Sequence, residues 1–305
     1  GINAEYGIPK MLFAILSAQE MFYSQQTLEV LRNIPSLTWT PQIPDQYKKY
    51  TVSQVQQLLT RSSNERDTQI DAPKRLNVDN DQARERSWDW RELRFDCFVV
   101  RDLGNCGASH AFSAAAQLSA ARCIKDMDVR KVVYSEQYMV SCDMSTPGCG
   151  GTAKDSLRSQ IFMRDVGLPT DQCVHYESGK DGIRRQCPRT CATAEPLTFT
   201  KSKNFDNVCI DEAGMRSAVK LAPVQTRMTV YEDFMYYIGG VYQHASGDDI
   251  GITDVLIVGW GEEYGVKYWI CQNYWGVTWA EQGYFRIQRA TNECGIEQEC
   301  YLLLP

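Results

Sequence analysis

The chain has 305 residues, 43% of them hydrophobic and 23% charged, with a formal net charge of −6. That is enough for one large globular domain or two modest ones, and without a run of Lys and Arg it lacks the basic face that nucleic-acid binding requires. No apolar stretch is long enough for a membrane span.

In chain order, Lys10 followed by the apolar run from Met11 to Ala18 fits a short secretory signal. The competing reading is the start of a buried helix. Twelve cysteines favour an oxidising route, and with it an extracellular or lysosome-like destination. Residues 1–18 therefore divide from residues 19–60, which carry two weakly helical patterns around a loop or short extended piece at 35–40. Residues 61–86 are almost wholly polar and charged and read as a linker. A compact domain is expected over 87–305. Its first strong element is the Ala-rich stretch 108–124, a buried helix. Later runs at 224–230, 254–260, 268–272 and 283–289 are β-branched or aromatic between glycines and polar turns, and predict strands. Helices first and strands later give an α+β domain with a helical lobe and a β lobe.

Several strings then resemble the papain-like cysteine peptidases, and their cathepsin B branch in particular. They are Ser87-Trp88-Asp89-Trp90, Ser135-Glu136-Gln137, Gly148-Cys149-Gly150-Gly151, Gly240-Val241-Tyr242-Gln243-His244, Gly259-Trp260-Gly261, Asn273-Tyr274-Trp275-Gly276 and Glu293-Cys294-Gly295-Ile296-Glu297. The resemblance covers 87–305. It implies a two-lobe papain-like fold with a cleft between a helical left lobe and a β-barrel-like right lobe. Residues 19–60, with Leu37-Thr38-Trp39, resemble the short propeptide of that branch. The branch's histidine-bearing occluding loop has no counterpart: the stretch from Cys173 to Cys187 is too short and holds only His175, so exopeptidase trimming is not expected.

Cysteine peptidase chemistry needs a thiolate at a helix N-terminus, a histidine beside it, a group to orient that histidine, and an oxyanion donor. The resemblance places Ser109, Thr253, Asn273 and Leu103 at these four positions. Serine ionises far less readily than cysteine, threonine is no base near neutral pH, and a leucine side chain donates no hydrogen bond. Only Asn273 is retained. Asp254 is the nearest substitute base, but strand alternation is expected to turn it away from Ser109. His110 follows Ser109 directly, and adjacent helical side chains do not face each other; it is expected on the surface or in the groove, in place of the family's aromatic residue. His175 and His244 fall in segments that the family uses structurally. The sequence therefore predicts an inactive homologue. An active peptidase using Ser109 or an unforeseen base, and a scaffold working through another surface, are the alternatives.

The resemblance also pairs Cys97 with Cys123, Cys106 with Cys149, Cys142 with Cys187 and Cys173 with Cys191. A bridge between Cys209 and Cys300 is a guess, and a zinc site from Cys142, Cys149, Cys187 and Cys191 is the competing reading. No cofactor or metal is expected. By the same resemblance the substrate groove would consist of Gly150 and Gly151, Trp275 and Glu299. The partner expected there is a peptide or protein ligand, including a protease inhibitor, bound by a monomer.

Overall fold

The computed structural model describes residues 19–60, 85–128, 131–151 and 155–305. The signal-like run at 10–18 and most of the 61–86 linker lie outside the described residues.

The N-terminal segment comprises helix α1 (Gln25–Arg32), strand β1 (Trp39–Pro41) and helix α2 (Val52–Gln57). Both helices are capped from the sequence. Ser24 Oγ accepts from Thr27 N at 3.0 Å, and Thr51 with Gln54 forms a reciprocal capping box. The extended piece expected at 35–40 is β1.

The helical lobe contains α4 (Ser109–Ile124), α5 (Glu136–Cys142) and α6 (Asp155–Asp165), after the short strand β2 (Trp88–Asp89) and the single turn α3 (Trp90–Leu93). Helix α4 is buried nearly all round, which its alanines permit because small side chains let helices and sheet approach closely. The β lobe follows: β3 (Asn204–Asn207), helix α7 (Glu212–Leu221), β4 (Val224–Tyr231), β5 (Tyr237–Tyr242), β6 (Asp249–Glu263), β7 (Val266–Gln272), β8 (Tyr284–Gln288) and β9 (Cys300–Leu304). The strand order is β1-β5-β8-β7-β6-β4-β9-β3, with β2 also on β6. All these pairings are antiparallel except β5 with β8. The N-terminal segment thus supplies one strand of the β lobe's sheet.

Strand β6 runs 15 residues, twice the predicted length, because Gly251 and Gly261 continue the strand where the pattern suggested its ends. Five disulfides form: Cys97–Cys123, Cys106–Cys149, Cys142–Cys187, Cys173–Cys191 and Cys209–Cys300. The four zinc-candidate cysteines are all bridged and cannot act as thiolate ligands. Cys271 and Cys294 are free.

Candidate active-site cleft

The two lobes meet where the N-terminus of α4 faces β6. Ser109 is the first residue of α4, behind Ala108, which offers no side-chain cap. Its hydroxyl is engaged twice by one residue of β6. Ser109 Oγ accepts from Asp254 N at 2.9 Å and donates to Asp254 Oδ2 at 3.3 Å. Both Ser109 and Asp254 are buried.

Asp254 therefore points at Ser109, contrary to the expectation from the sequence. Alternation does put Thr253 and Asp254 on opposite faces of β6, but the face presented to α4 is that of Asp254. Its carboxylate also takes the Ser156 hydroxyl from α6, and Gln225 Nε2 of β4 lies 3.4 Å from Oδ1. Burial pushes the Asp254 carboxyl above its ordinary range, opposed chiefly by His110 and then by the Ser156 bond and Arg227. The positive end of the α4 dipole is a favourable place for such a group.

A wider polar seam continues from there. Ser113 Oγ donates to Val255 O at 2.9 Å. Gln160 Nε2 donates to Gln117 Oε1 at 2.7 Å and also to Gln225 Oε1, and Gln117 Nε2 reaches Tyr301 O at 2.6 Å. Helices α4 and α6 are thereby tied to strands β4, β6 and β9. Buried polar groups that satisfy one another in this way fix the mutual placement of the two lobes.

The other positions named from the sequence are just as specific. Thr253 is buried and its hydroxyl has no partner among the described residues. Asn273, just past the end of β7, is also buried; its Oδ1 accepts from Tyr274 N at 2.9 Å, while its amide nitrogen has no partner among the described residues. Leu103 is fully buried and uses its backbone alone, donating to Tyr274 O at 2.9 Å and accepting from Tyr176 OH at 2.8 Å. Trp275 is buried against Trp279, 4.9 Å between ring centroids. Glu299, on the loop before β9, accepts from Arg227 Nη2 at 2.8 Å, so it is ion-paired and not an isolated solvated charge.

His110 is fully buried, which corrects its expected place on the surface or in the groove. Its Nδ1 lies 4.0 Å from Asp155 Oδ2 and neither ring nitrogen has a hydrogen-bond partner among the described residues. It sits under Gly151, where an added Cβ would come within 3.2 Å of Nδ1, so it packs beneath the groove instead of lining it. His244 stacks on Tyr231 at 3.8 Å and pairs with Asp233 at 3.2 Å. His175 lies 3.9 Å from Asp171 with a largely exposed ring.

The cleft is filled at its centre by the chain's own N-terminal segment. Leu58, Leu59 and Thr60 are all buried. Thr60 N donates to Ile252 O at 2.8 Å, and Ile252 N donates back to Thr60 O at 2.9 Å. This reciprocal pair lies one residue before Thr253. On the opposite wall, Thr60 Oγ1 reaches Gly107 O at 3.4 Å. Upstream, Tyr47 OH and Gln46 Nε2 donate to Trp275 O at 2.9 and 3.1 Å. Beside this plug the groove stays open, lined by Asn105, Gly107, Gly150, Asp181 and Asp249, and Gly150 has nothing within 4 Å of where a side chain would begin. Nothing in the sequence marked Leu59 and Thr60 as cleft residues.

Gly107 makes this fit possible, because a Cβ there would overlap the Leu59 carbonyl. Gly107→Ala is expected to push residues 58–60 out of the cleft at a cost of about 1–3 kcal/mol. Limited proteolysis should then cut the N-terminal segment at least several times faster than in the parent. An unchanged rate would mean that the plug tolerates the methyl.

Residues 84–304 match the family described as papain family cysteine protease. The chain is 39% identical over 295 residues to Cathepsin B-like CP3 of Giardia intestinalis, covering 95% of this chain and 97% of the relative. It is 35% identical over 297 residues to Cathepsin B-like CP2 of the same organism, covering 95% and 98%. Among solved structures it is similar to proCathepsin B S9 from Trypanosoma congolense, with a TM-score of 0.82 and 22% identity, covering 94% of this chain and 99% of that one. A match across the whole two-lobe region, with relatives of this identity along nearly the full length, places the chain in the papain family of cysteine proteases, among its cathepsin B-like members.

Proposed function

We propose that this chain is a catalytically inactive cathepsin B-like homologue that binds a peptide or protein through its former substrate cleft once the N-terminal plug is displaced. The observation that carries the reading is the double engagement of Ser109 by Asp254. A serine nucleophile needs a base that takes its proton as it attacks and returns it to the leaving group. Asp254 is instead shared between Ser109 and Ser156 in a buried seam, and a carboxylate is too weak a base to populate an alkoxide. The oxyanion position carries the hydrocarbon of Leu103 and the base position carries Thr253. In another hydrolase, loss of nucleophile or base costs about 10⁶ in kcat.

The ligand side rests on the plug itself. The plug already forms a single antiparallel bridge, Thr60 with Ile252, across from Gly107, so this part of the groove offers backbone partners to a bound chain. Of the acidic residues beside it, Asp181 is already paired with Arg185 at 2.8 Å, which leaves Asp249 to suit a ligand with a basic side chain. An inhibitor of the family's peptidases is one protein of the right shape. Five disulfides fit a secretory or lysosome-like compartment. Residues 19–60 act as a propeptide-like plug and 87–305 as the binding domain.

Peptide-library hydrolysis tests the inactivity, using the full chain and the chain nicked in 61–86 by an immobilised protease that is then removed. Both are expected to be silent, and Ser109→Ala to change nothing. Cleavage by the parent that Ser109→Ala abolishes would overturn the reading. Binding of a cystatin-type inhibitor is expected only after nicking and displacement of the plug.

A further inference from the structure

We infer that Asp254 is a lock on position 109: it ties α4 to β6 and α6, and it opposes any negative charge on a nucleophile placed there. The inference rests on the reading of an inactive chain and names one further residue responsible for that state. The three substitutions at 109, 253 and 103 are visible by resemblance. Asp254 is not at any position that the chemistry names, and its part follows from contacts alone.

Asp254 Oδ2 is 3.3 Å from Ser109 Oγ with both residues buried. A thiolate in place of that oxygen would stand beside a carboxylate with little water between them. Two anions that close in a poorly solvated site do not both ionise in the ordinary range; whichever ionises first suppresses the other. The surrounding charged groups act on this pair in both directions. On α4, His110 sits on the same seam with no hydrogen-bond partner among the described residues. On α6, Asp155 adds a second carboxylate close enough to raise the Asp254 carboxyl. On β4, Arg227 lies opposite Asp254 across the strand pair and favours its charged form, with Nη2 paired to Glu299 and the buried Nη1 without a partner among the described residues. The helix dipole that would otherwise favour a thiolate already has an anion-forming group at its positive end. Asp254 is thus a positioning residue: it touches position 109 and sets its charge, without being placed to touch a substrate.

The test is a thiol titration. The full-length Ser109→Cys chain and the Ser109→Cys, Asp254→Asn chain are each titrated by the ultraviolet absorbance of the thiolate. The parent chain, which also carries Cys271 and Cys294, is subtracted. Replacing Asp254 is expected to lower the ionisation midpoint of the introduced thiol by about one pH unit or more, about tenfold in the thiol–thiolate equilibrium. A midpoint that Asp254→Asn leaves unchanged overturns the lock, whether or not any of the chains hydrolyses peptide. Asp254→Ser replaces Asp254→Asn if the amide does not fold.

A kinetic comparison follows in the nicked protein. Ser109→Cys, Thr253→His and Leu103→Gln together are expected to give at least about tenfold lower kcat/KM than the same three with Asp254→Asn. Equal values would overturn the lock. A parent that cleaves peptides would sink the inactive reading instead, and the titration would still decide on Asp254.

Discussion

Trp39→Ala is expected to detach the N-terminal segment from the β lobe, with a loss of about 3–5 kcal/mol on denaturant unfolding. Trp39 is only 4% exposed. Its ring packs near Tyr242 and Tyr237, with centroids 5.4 and 6.1 Å away, and its Nε1 donates to Gln243 O at 2.9 Å. The same residue begins β1, which pairs Trp39 with Gly240. Truncation leaves a cavity, an unpaired carbonyl and a weakened strand together. Equilibrium unfolding should resolve two transitions, the earlier one for the segment. Protease should reach residues 58–60, and the nicked protein should take up inhibitor more readily. A loss below about 1 kcal/mol would mean that the segment is held chiefly by Tyr47 and Thr60.

Arg101→Ala has an expected cost of similar size that depends on pH. Arg101 donates to Glu136 Oε1 at 2.7 Å and to Asp171 Oδ1 at 2.7 Å, and the Glu136 side chain is only 2% exposed. Burial raises the Glu136 carboxyl above its ordinary value, and Arg101 is the main influence holding it down. Between the unfolded and folded values the folded chain keeps a proton that the unfolded chain has released, so stability falls as pH rises through that window. Removing Arg101 carries the folded value higher and widens the window upward. The variant should lose about 3–5 kcal/mol at neutral pH. It should recover much of that as pH falls toward the ordinary carboxylate range, where Glu136 is neutral in both states. Thermal unfolding of parent and variant at several pH values checks this. A deficit that does not shrink with acid would show that the packing of the Arg101 stem matters more than the charge it neutralises.

Much of the architecture could be read from the residues because local and global signals agree. The alanines of α4 permit only a buried helix, and the β-branched runs of β4 and β7 are strands within a few residues of their predicted ends. Four bridges of the cysteine framework followed from the resemblance, and the guessed Cys209–Cys300 bridge forms as well. What escaped was relational. Period-two alternation correctly separates Thr253 from Asp254, but it does not say which face meets α4; that depends on how the whole sheet seats against the helix. His110 was misplaced for a similar reason. A polar residue after Ser109 reads as exposed, yet Gly151 leaves room for an imidazole beneath the groove. The plug at Leu59 and Thr60 has no motif, because strand pairing is made by backbone that every sequence possesses.

The reciprocal pair between Thr60 and Ile252 bears on how any outside ligand competes. Residues 58–60 belong to the same polypeptide as the groove they occupy, so they compete as a tethered segment whose local concentration is of millimolar order for a short connection. A free ligand at micromolar concentration then faces a handicap of about a thousandfold before its own contacts count. Cutting the chain within 61–86 makes that handicap depend on concentration without altering one atom of the groove. Occupancy of the cleft would then depend on dilution: a nicked protein diluted well below the affinity of its own segment loses the segment, and an intact one does not.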